Sequence, residues 1–222
     1  MGYRSTSNLA TDLGRVSYED AYRLQKHLLS LVRNGDRRGF LLFLEHEPVY
    51  TLGRKPVEEN YRGVNTVQTE RGGDVTYHGP GQKVIYPVVD ISENGNIDVR
   101  GFVHFVENTV IKILEGAGYS ASVGEEPGIW VKTEAGERKV ASIGMAIDHG
   151  VSFHGISINT SGDVIPGFSR IRPCGLDPSV MGFAGLKDEA IKQGFLKEFS
   201  GRFGEFALVD RESFMKEVSL SL

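Results

Sequence analysis

The sequence has almost no cysteine: Cys174 is the only one in 222 residues. A single thiol excludes an internal disulfide, and it excludes a metal site built from several thiolates. The histidines lack the paired helical spacing of a zinc site, so we expect no bound metal. A protein without disulfides suits a reducing compartment, and we therefore expect a cytoplasmic location.

Long apolar runs and an excess of basic charge are also absent. The longest continuous apolar stretch covers residues 40–44, far short of the ~20 residues that cross a bilayer. The net charge is -4 with both signs interspersed, whereas nucleic-acid binders usually carry a basic face. The hydrophobic fraction of 40% is ordinary for a globular protein. We expect one domain over residues 1–222, with neither a membrane nor a nucleic acid as partner.

Hydrophobic periodicity and capping signals predict a mixed α+β fold, with a central mixed sheet flanked by helices. Ser17 and Asp20 form a capping box at the start of the first predicted helix. The predicted helices cover residues 17–35, 98–118, 186–200 and 210–218. The predicted strands cover residues 39–45, 84–90, 128–132, 139–147 and 151–159. His149 and Gly150 lie between the last two strands and predict a tight hairpin turn.

Residues 71–82 combine four glycines with several different polar side chains. Glycine lets a backbone approach a ligand closely and expose its N–H groups. A complicated turn would also explain the glycines, but the varied polar groups favour a ligand-binding loop, with His78 facing the ligand. The segment lacks the lysine-hydroxyl ending of a Walker A loop and the glycine spacing of a Rossmann fingerprint.

Cys174 lies between Pro173 and Gly175, which predict a constrained turn. A lone cysteine is either a small buried apolar residue or a nucleophile, and the local sequence does not decide between them. A nucleophilic cysteine needs a nearby cation or base. Lys139 begins the apolar segment 139–144 and is either a solvated strand end or a partly buried base.

Two further histidines have competing interpretations. His154 lies in a predicted strand, where it is either catalytic or a hydrogen-bonded structural residue, and we favour the structural role. His46 is flanked by Glu45 and Glu47. His46 either pairs with one of those carboxylates or occupies a solvated loop, and we favour the solvated loop.

These segments together resemble the lipoyl(octanoyl) transferase family along nearly the whole chain. The most specific motifs are the Arg71-Gly72-Gly73 to His78-Gly79-Pro80-Gly81-Gln82 loop and the Pro173-Cys174-Gly175 turn. Further matching segments are Asp12-Leu13-Gly14, Leu44 to Arg54, Tyr86-Pro87, Gly128 to Val131, Lys139 to Gly144, His154-Gly155 and Asn159.

The resemblance implies a fold related to the catalytic domains of biotin and lipoate protein ligases. It implies transfer of an octanoyl group from octanoyl-acyl carrier protein to a lysine of lipoyl domains, without a cofactor. The acceptors would be the lipoyl domains of 2-oxoacid dehydrogenases and the glycine cleavage H protein. Cys174 would be the nucleophile and Lys139 its activating partner. The residues that would line the substrate site are Arg71, Gly72, Gly73, Asp74, Val75, Thr76, Tyr77, His78, Ser142, Ile143, Gly144, His154, Gly155, Ile156 and Ser157.

Two alternatives to this reaction remain open at the level of sequence. One is an ATP-dependent lipoate or biotin protein ligase on the same fold, in which Lys139 would bind the adenylate. The other is a carrier-binding module without catalysis. The segment 179–183 departs from the family pattern. It lies in a predicted loop that could contact the protein substrates, so the departure bears on which partners are recognised. The positive side chains that flank the two main motifs are candidates for docking an acidic carrier protein: Arg54, Lys55, Arg170 and Arg172.

Overall fold

The computed structural model describes residues 7–35, 39–93, 95–134 and 136–219, so both ends of the predicted domain lie outside it. The strands are β1 (Asn8–Val16), β2 (Gly39–His46), β3 (Val49–Leu52), β4 (Val67–Gln68), β5 (Val75–His78), β6 (Gln82–Val89), β7 (Ser92–Glu93), β8 (Asn96–Ile97), β9 (Ala121–Val123), β10 (Ile129–Thr133), β11 (Gly136–Asp148), β12 (Val151–Asn159) and β13 (Phe206–Val209). The helices are α1 (Tyr18–Arg33), α2 (Val99–Gly116), α3 (Ile165–Phe168), α4 (Asp188–Phe203) and α5 (Arg211–Glu217).

The central sheet has eight strands in the order β13-β1-β2-β6-β12-β11-β10-β9. Strand β1 pairs in parallel with β13 and β2, and the remaining pairs are antiparallel. Helices α1 and α5 cover one face of the sheet and α2 and α4 the other, each over its own apolar cluster. The predicted mixed α+β architecture is confirmed. Among the helices in the described ranges, none is long and apolar enough to cross a membrane.

The local signals for α1 and for the β11–β12 hairpin are confirmed. The Ser17 side chain accepts a hydrogen bond from the Asp20 N–H and caps α1. His149 and Gly150 have φ of 48° and 84°, the left-handed pair that a two-residue hairpin turn requires. The hairpin pairs Ile143 with Ile156 and Gly144 with Gly155. It therefore places two separate parts of the predicted substrate site side by side.

Eight of the thirteen strands in the described ranges fall where no strand was predicted, and β1, β13 and β5 show why. Strand β1 interleaves buried Asn8 and Thr11 with apolar residues, because it is a central strand between two parallel partners. Strand β13 is short, and it pairs in parallel with β1, which lies nearly two hundred residues earlier in the sequence. Strand β5 occupies part of the glycine-rich segment and pairs with β3.

Candidate active site

A cavity of about 790 Å³ opens beside strands β11 and β12, where the glycine-rich segment crosses the sheet. The Gly72 N–H donates to the Met145 carbonyl at 3.1 Å and fixes this crossing. A Cβ on Gly144 would lie only 3.1 Å from Arg71 Cδ, so glycine at 144 lets the arginine pack on the strand. The sequence-predicted residues on the cavity wall are Arg71, Gly72, Gly73, Asp74, Thr76, His78, Lys139, Ser142, Ile143, Gly144, His154, Gly155, Ile156, Ser157 and Cys174.

Val75 and Tyr77 do not line this cavity, which corrects the prediction that they would. Successive side chains of a strand point to opposite faces. Thr76 and His78 face the cavity. Val75 and Tyr77 instead pack into a separate apolar cluster with Phe168 beneath the β3–β5 sheet.

Cys174 occupies an exposed turn with a left-handed backbone, φ 56° and ψ 32°. Pro173 immediately precedes Cys174, and its ring fixes its own φ. Gly175 follows Cys174 with φ 81°. The turn is tied down because the Arg172 N–H donates to the Asn60 carbonyl at 2.8 Å and the Gly175 N–H donates to the Arg172 carbonyl at 2.9 Å. A non-glycine residue in this region stores strain. The strained turn presents the Sγ atom at the cavity.

Lys139 is 2% exposed, which is unusual for a lysine. Within the described ranges it forms no ion pair within 4.0 Å. Burial lowers the pKa of Lys139, and the negative charges of Cys174 and Glu126 oppose that shift. Lys139 and Cys174 both line the cavity, and the amine interacts electrostatically with the sulfur. A buried lysine with a lowered pKa is available as a base.

Arg71 brings a second positive charge to the cavity. Its guanidinium is 6% exposed, and it donates to the Thr51 hydroxyl and carbonyl and to the Gly72 carbonyl. These neutral acceptors hold the group in place without cancelling its charge. Burial lowers the pKa of Arg71, whereas a negative charge on Cys174 raises it. An arginine stays protonated in proteins, so Arg71 favours a negative charge on the sulfur.

Asp74 links the glycine-rich segment to the loop that carries the cysteine turn. One carboxylate oxygen accepts from the Val57 N–H at 2.9 Å, and the other accepts from Asn60 Nδ2 at 2.5 Å. Asn60 in turn accepts the Arg172 N–H. Both oxygens of Asp74 are thus engaged within the protein, and its contribution to the site is to hold the Cys174 turn.

His46 contradicts the prediction of a solvated loop residue. It is completely buried, its Nδ1 donates to the Val16 carbonyl at 3.2 Å, and its Nε2 accepts from the Tyr86 hydroxyl at 2.7 Å. Neither adjacent glutamate is its partner. Burial lowers the pKa of His46 to about 4, so it is neutral at pH 7.

His154 lies on β12 at the cavity wall, with a left-handed φ of 55°. Its backbone N–H donates to Gln25 Oε1 at 2.6 Å, outside the β12–β6 register, which covers residues 156–159 of β12. Its Nε2 is 3.6 Å from Glu70, beyond hydrogen-bonding distance. Burial lowers the pKa of His154 to about 4. Its backbone bond fits the favoured structural role.

Several cavity residues were not predicted as site residues: Tyr18, Asn60, Tyr86, Val99, Val103, Glu107, Glu126 and Gly128. Gly128 was assigned to a strand and to the family resemblance without a role in the site, although it has φ 128° and lies against Lys139. Its proximity to Lys139 arises from the β10–β11 pairing, which places Trp130 opposite Lys139.

Gly128→Ala is expected to displace Lys139 and to reduce activity roughly tenfold or more, since misplacing a catalytic group by an ångström has effects of this size. The added Cβ would lie 2.6 Å from both Lys139 Cε and the Ala141 carbonyl oxygen. The matched control is Gly136→Ala, which has φ 99° but meets nothing closer than 3.7 Å. Steady-state acyl-transfer rates and melting temperatures check this. Equal losses of activity in the two variants would show that backbone strain alone is responsible.

Comparison with solved structures defines the class of protein by its fold. A structure of a bi-partite lipoate protein ligase from Thermoplasma acidophilum aligns over 97% of this chain and 91% of that chain, with a TM-score of 0.69 and 16% identity. A biotin acetyl coenzyme A carboxylase synthetase from Helicobacter pylori aligns over 86% and 74%, with a TM-score of 0.51 and 12% identity. The fold is that of the lipoate and biotin protein ligases, as predicted.

Sequence comparison defines the family. The lipoyl protein ligase A/B catalytic domain matches residues 17–192. The chain is 38% identical to an octanoyltransferase of Desulfotalea psychrophila, over 90% of this chain and 95% of that protein. It is 40% identical to one from Geobacter sp. (strain M21), over 76% and 80%. The chain belongs to the lipoyl protein ligase A/B catalytic domain family, among its octanoyltransferases, and is an acyltransferase.

Proposed function

We propose that the protein transfers an octanoyl group from octanoyl-acyl carrier protein to a lysine of a lipoyl domain, through a thioester on Cys174. The observation that carries the proposal is that a buried Lys139, with no ion pair within 4.0 Å in the described ranges, shares one cavity with the exposed Cys174. The whole of residues 1–222 would act as one catalytic domain. The reaction needs no cofactor, because the donor thioester is already activated.

In the first half-reaction Lys139 takes the thiol proton and the Cys174 sulfur attacks the donor carbonyl carbon. A new C–S bond forms to the enzyme as the C–S bond to the carrier's thiol breaks. The proton on Lys139 then passes to the departing thiolate. The positive charge of Arg71 favours both the attacking sulfur and the oxyanion, since it is held close to them in a largely buried site.

In the second half-reaction the amine of the acceptor lysine attacks the acyl carbon on Cys174. A C–N bond forms and the C–S bond to Cys174 breaks. One proton of the amine returns to the sulfur through Lys139, so the enzyme is regenerated without a net change. The amide product is more stable than the thioester, which draws the transfer forward.

The acyl chain would lie along the apolar part of the cavity wall. Val84, Ile143, Met145 and Ile156 line this part. At ~0.8 kcal/mol for each buried methylene, six methylenes would contribute roughly 5 kcal/mol. Burial of this size would favour a medium-length chain over an acetyl group.

The carrier protein would dock at the cavity mouth through positive side chains. Arg54, Lys55, Arg170 and Arg172 are exposed, and within the described ranges none forms an ion pair within 4.0 Å. Arg54 and Lys55 also line the cavity. Unpaired surface charge of one sign attracts an acidic partner and does so most strongly at low salt.

Reversing Arg54 and Lys55 to glutamate is expected to raise the KM for octanoyl-acyl carrier protein about tenfold at low salt, with a smaller effect at high salt. Lys197→Glu, on the exposed face of α4, is the matched control and should leave KM unchanged. A small octanoyl thioester without the protein carrier should react equally well with all variants. An unchanged carrier KM in the double variant would refute docking at this mouth.

The acyl acceptors in this proposal are the lipoyl domains of 2-oxoacid dehydrogenases and the glycine cleavage H protein. The direct test mixes the purified protein, octanoyl-acyl carrier protein and an apo lipoyl domain without ATP, and follows the lipoyl domain by mass spectrometry. The domain should gain one octanoyl group. If it gains the group only from free octanoate and ATP, the protein is a ligase instead. If it gains the group under neither condition, the protein is a non-catalytic carrier-binding module.

A further inference from the structure

A chain of buried side-chain amides runs from the backbone next to Lys139 to His78 at the cavity wall. The Gly182 N–H donates to the Lys139 carbonyl at 2.9 Å. The Gly182 carbonyl accepts from Asn159 Nδ2 at 2.8 Å, and Asn159 Oδ1 accepts from Gln82 Nε2 at 2.9 Å. Gln82 Oε1 lies 2.6 Å from His78 Nδ1. All three side chains are at most 7% exposed.

The chemistry of this chain fixes each donor and acceptor in turn. A backbone carbonyl only accepts, so Asn159 must turn its NH₂ group to Gly182 and its oxygen to Gln82. Gln82 must then turn its NH₂ group to Asn159, with the Tyr77 carbonyl as a second acceptor at 3.4 Å. Its oxygen is left to accept from His78, so His78 carries its hydrogen on Nδ1. His78 Nε2 is therefore an unprotonated acceptor.

His78 Nε2 is available to a substrate. Among the described residues it has no hydrogen-bond partner. Unlike His154 Nε2, it is not one of the fully buried side-chain atoms that lack a partner. The ring lines the same cavity as Cys174 and Lys139. Arg71 interacts electrostatically with both His78 and Cys174, so both lie near its guanidinium.

We propose that His78 Nε2 accepts a hydrogen bond from the acceptor lysine's amine as it attacks the acyl group on Cys174, and that Gln82 and Asn159 are positioning residues that hold His78 in this tautomer. The inference rests on the proposed function and deepens it by naming the group that orients the second substrate. The octanoyl chain has no N–H to offer, whereas the amine does. The hydrogen bond directs the nitrogen lone pair at the thioester carbon, and the proton still leaves through Lys139.

Electrostatics around the ring keep His78 neutral. Burial, with help from His46, Arg71 and His154, lowers its pKa to about 3, while the hydrogen bond to Gln82 opposes the shift. Tyr18 stacks on the ring with centroids 6.3 Å apart. A ring that resists protonation is a poor base but a dependable acceptor. This is why we assign the proton to Lys139 and only the orientation to His78.

The half-reactions separate this role from a structural one. His78→Phe keeps an aromatic ring without nitrogens, and His78→Gln retains an acceptor near the position of Nε2. In rapid-quench mass spectrometry, octanoylation of Cys174 by octanoyl-acyl carrier protein should change less than about threefold in both variants. Transfer from the octanoylated enzyme to an apo lipoyl domain should slow roughly a hundredfold in His78→Phe. His78→Gln should recover part of that loss.

Gln82→Glu tests the positioning chain independently. A carboxylate that accepts from Nδ1–H favours the charged ring, so it should raise the pKa of His78 and remove the Nε2 acceptor as the pH falls. Transfer to the lipoyl domain should then lose more rate at low pH than it does in the wild type, and ¹⁵N NMR should show His78 protonation at higher pH. Gln193→Glu, on the exposed face of α4, is the control.

The outcomes are distinct. If the wild type forms no octanoyl adduct, the proposed function fails. If the adduct forms and His78→Phe slows both half-reactions equally, or slows neither, the inference about His78 is wrong while the proposed function stands. If His78→Phe does not fold, the Gln82→Glu pH profile decides, and an unshifted profile overturns the inference.

Discussion

Replacing Cys174 with alanine is expected to reduce octanoyl transfer by roughly a thousandfold or more, because the covalent route through the sulfur is lost. The side chain is exposed and makes no core contact, so the fold should be retained. Serine at 174 should also be far less active, because an alcohol is a much weaker acid than a thiol and is harder for Lys139 to deprotonate. Transfer of an octanoyl group from carrier protein to lipoyl domain, followed by mass spectrometry, measures both variants.

Cys174→Gly supplies a control that separates catalysis from stability. The left-handed backbone at 174 costs a non-glycine residue about 1 kcal/mol. Glycine removes that strain, so the variant should be inactive yet at least as stable as the wild type in urea denaturation. A destabilised Cys174→Gly protein would show that the sulfur has a structural role in the turn.

Lys139→Met is expected to slow octanoylation of Cys174 by about 10²- to 10⁴-fold, the usual contribution of a positioned base. Methionine fills much of the lysine's volume without an amine. Burying an unpaired amine is unfavourable, so the melting temperature should stay the same or rise. Lys139→Arg should be equally inactive, because arginine stays protonated at accessible pH. A Lys139→Met enzyme that forms the adduct at the wild-type rate would contradict the assignment of the base.

The pH dependence of octanoylation follows from the same residue. Burial lowers the pKa of Lys139 below its ordinary value of 10.5, against the opposing charges of Cys174 and Glu126. The neutral amine is the base, so the rate should rise with pH through this lowered pKa and decline below it. In Lys139→Met this rise should be absent.

Local signals were sufficient for much of the fold. The Ser17 cap, the strand segments of β11 and β12 and the His149–Gly150 turn all depend on residues close in sequence, and the structure confirms them. Strand β1 could not be predicted in the same way. Its polar residues Asn8 and Thr11 are acceptable in a central strand only because distant partners pair with it on both sides.

The candidate site likewise has features that depend on residues close in sequence and features that depend on distant ones. The sequence predicted a ligand loop at 71–82 and a constrained turn at Cys174, because glycine and proline act locally. It did not predict the burial of Lys139, which depends on Gly128 and on the pairing with β10. It misjudged His46, whose partner Tyr86 lies 40 residues away. The tautomer of His78 also depends on a distant group, Asn159.

The most direct test of the central claim is the intact mass of the protein after brief mixing with octanoyl-acyl carrier protein in the absence of ATP and acceptor. The account predicts that the wild type gains one octanoyl group, that hydroxylamine removes it, and that Cys174→Ala gains none. A hydroxylamine-sensitive octanoyl group on Cys174→Ala, or a wild type that transfers octanoate to lipoyl domains without ever carrying the adduct, would contradict it.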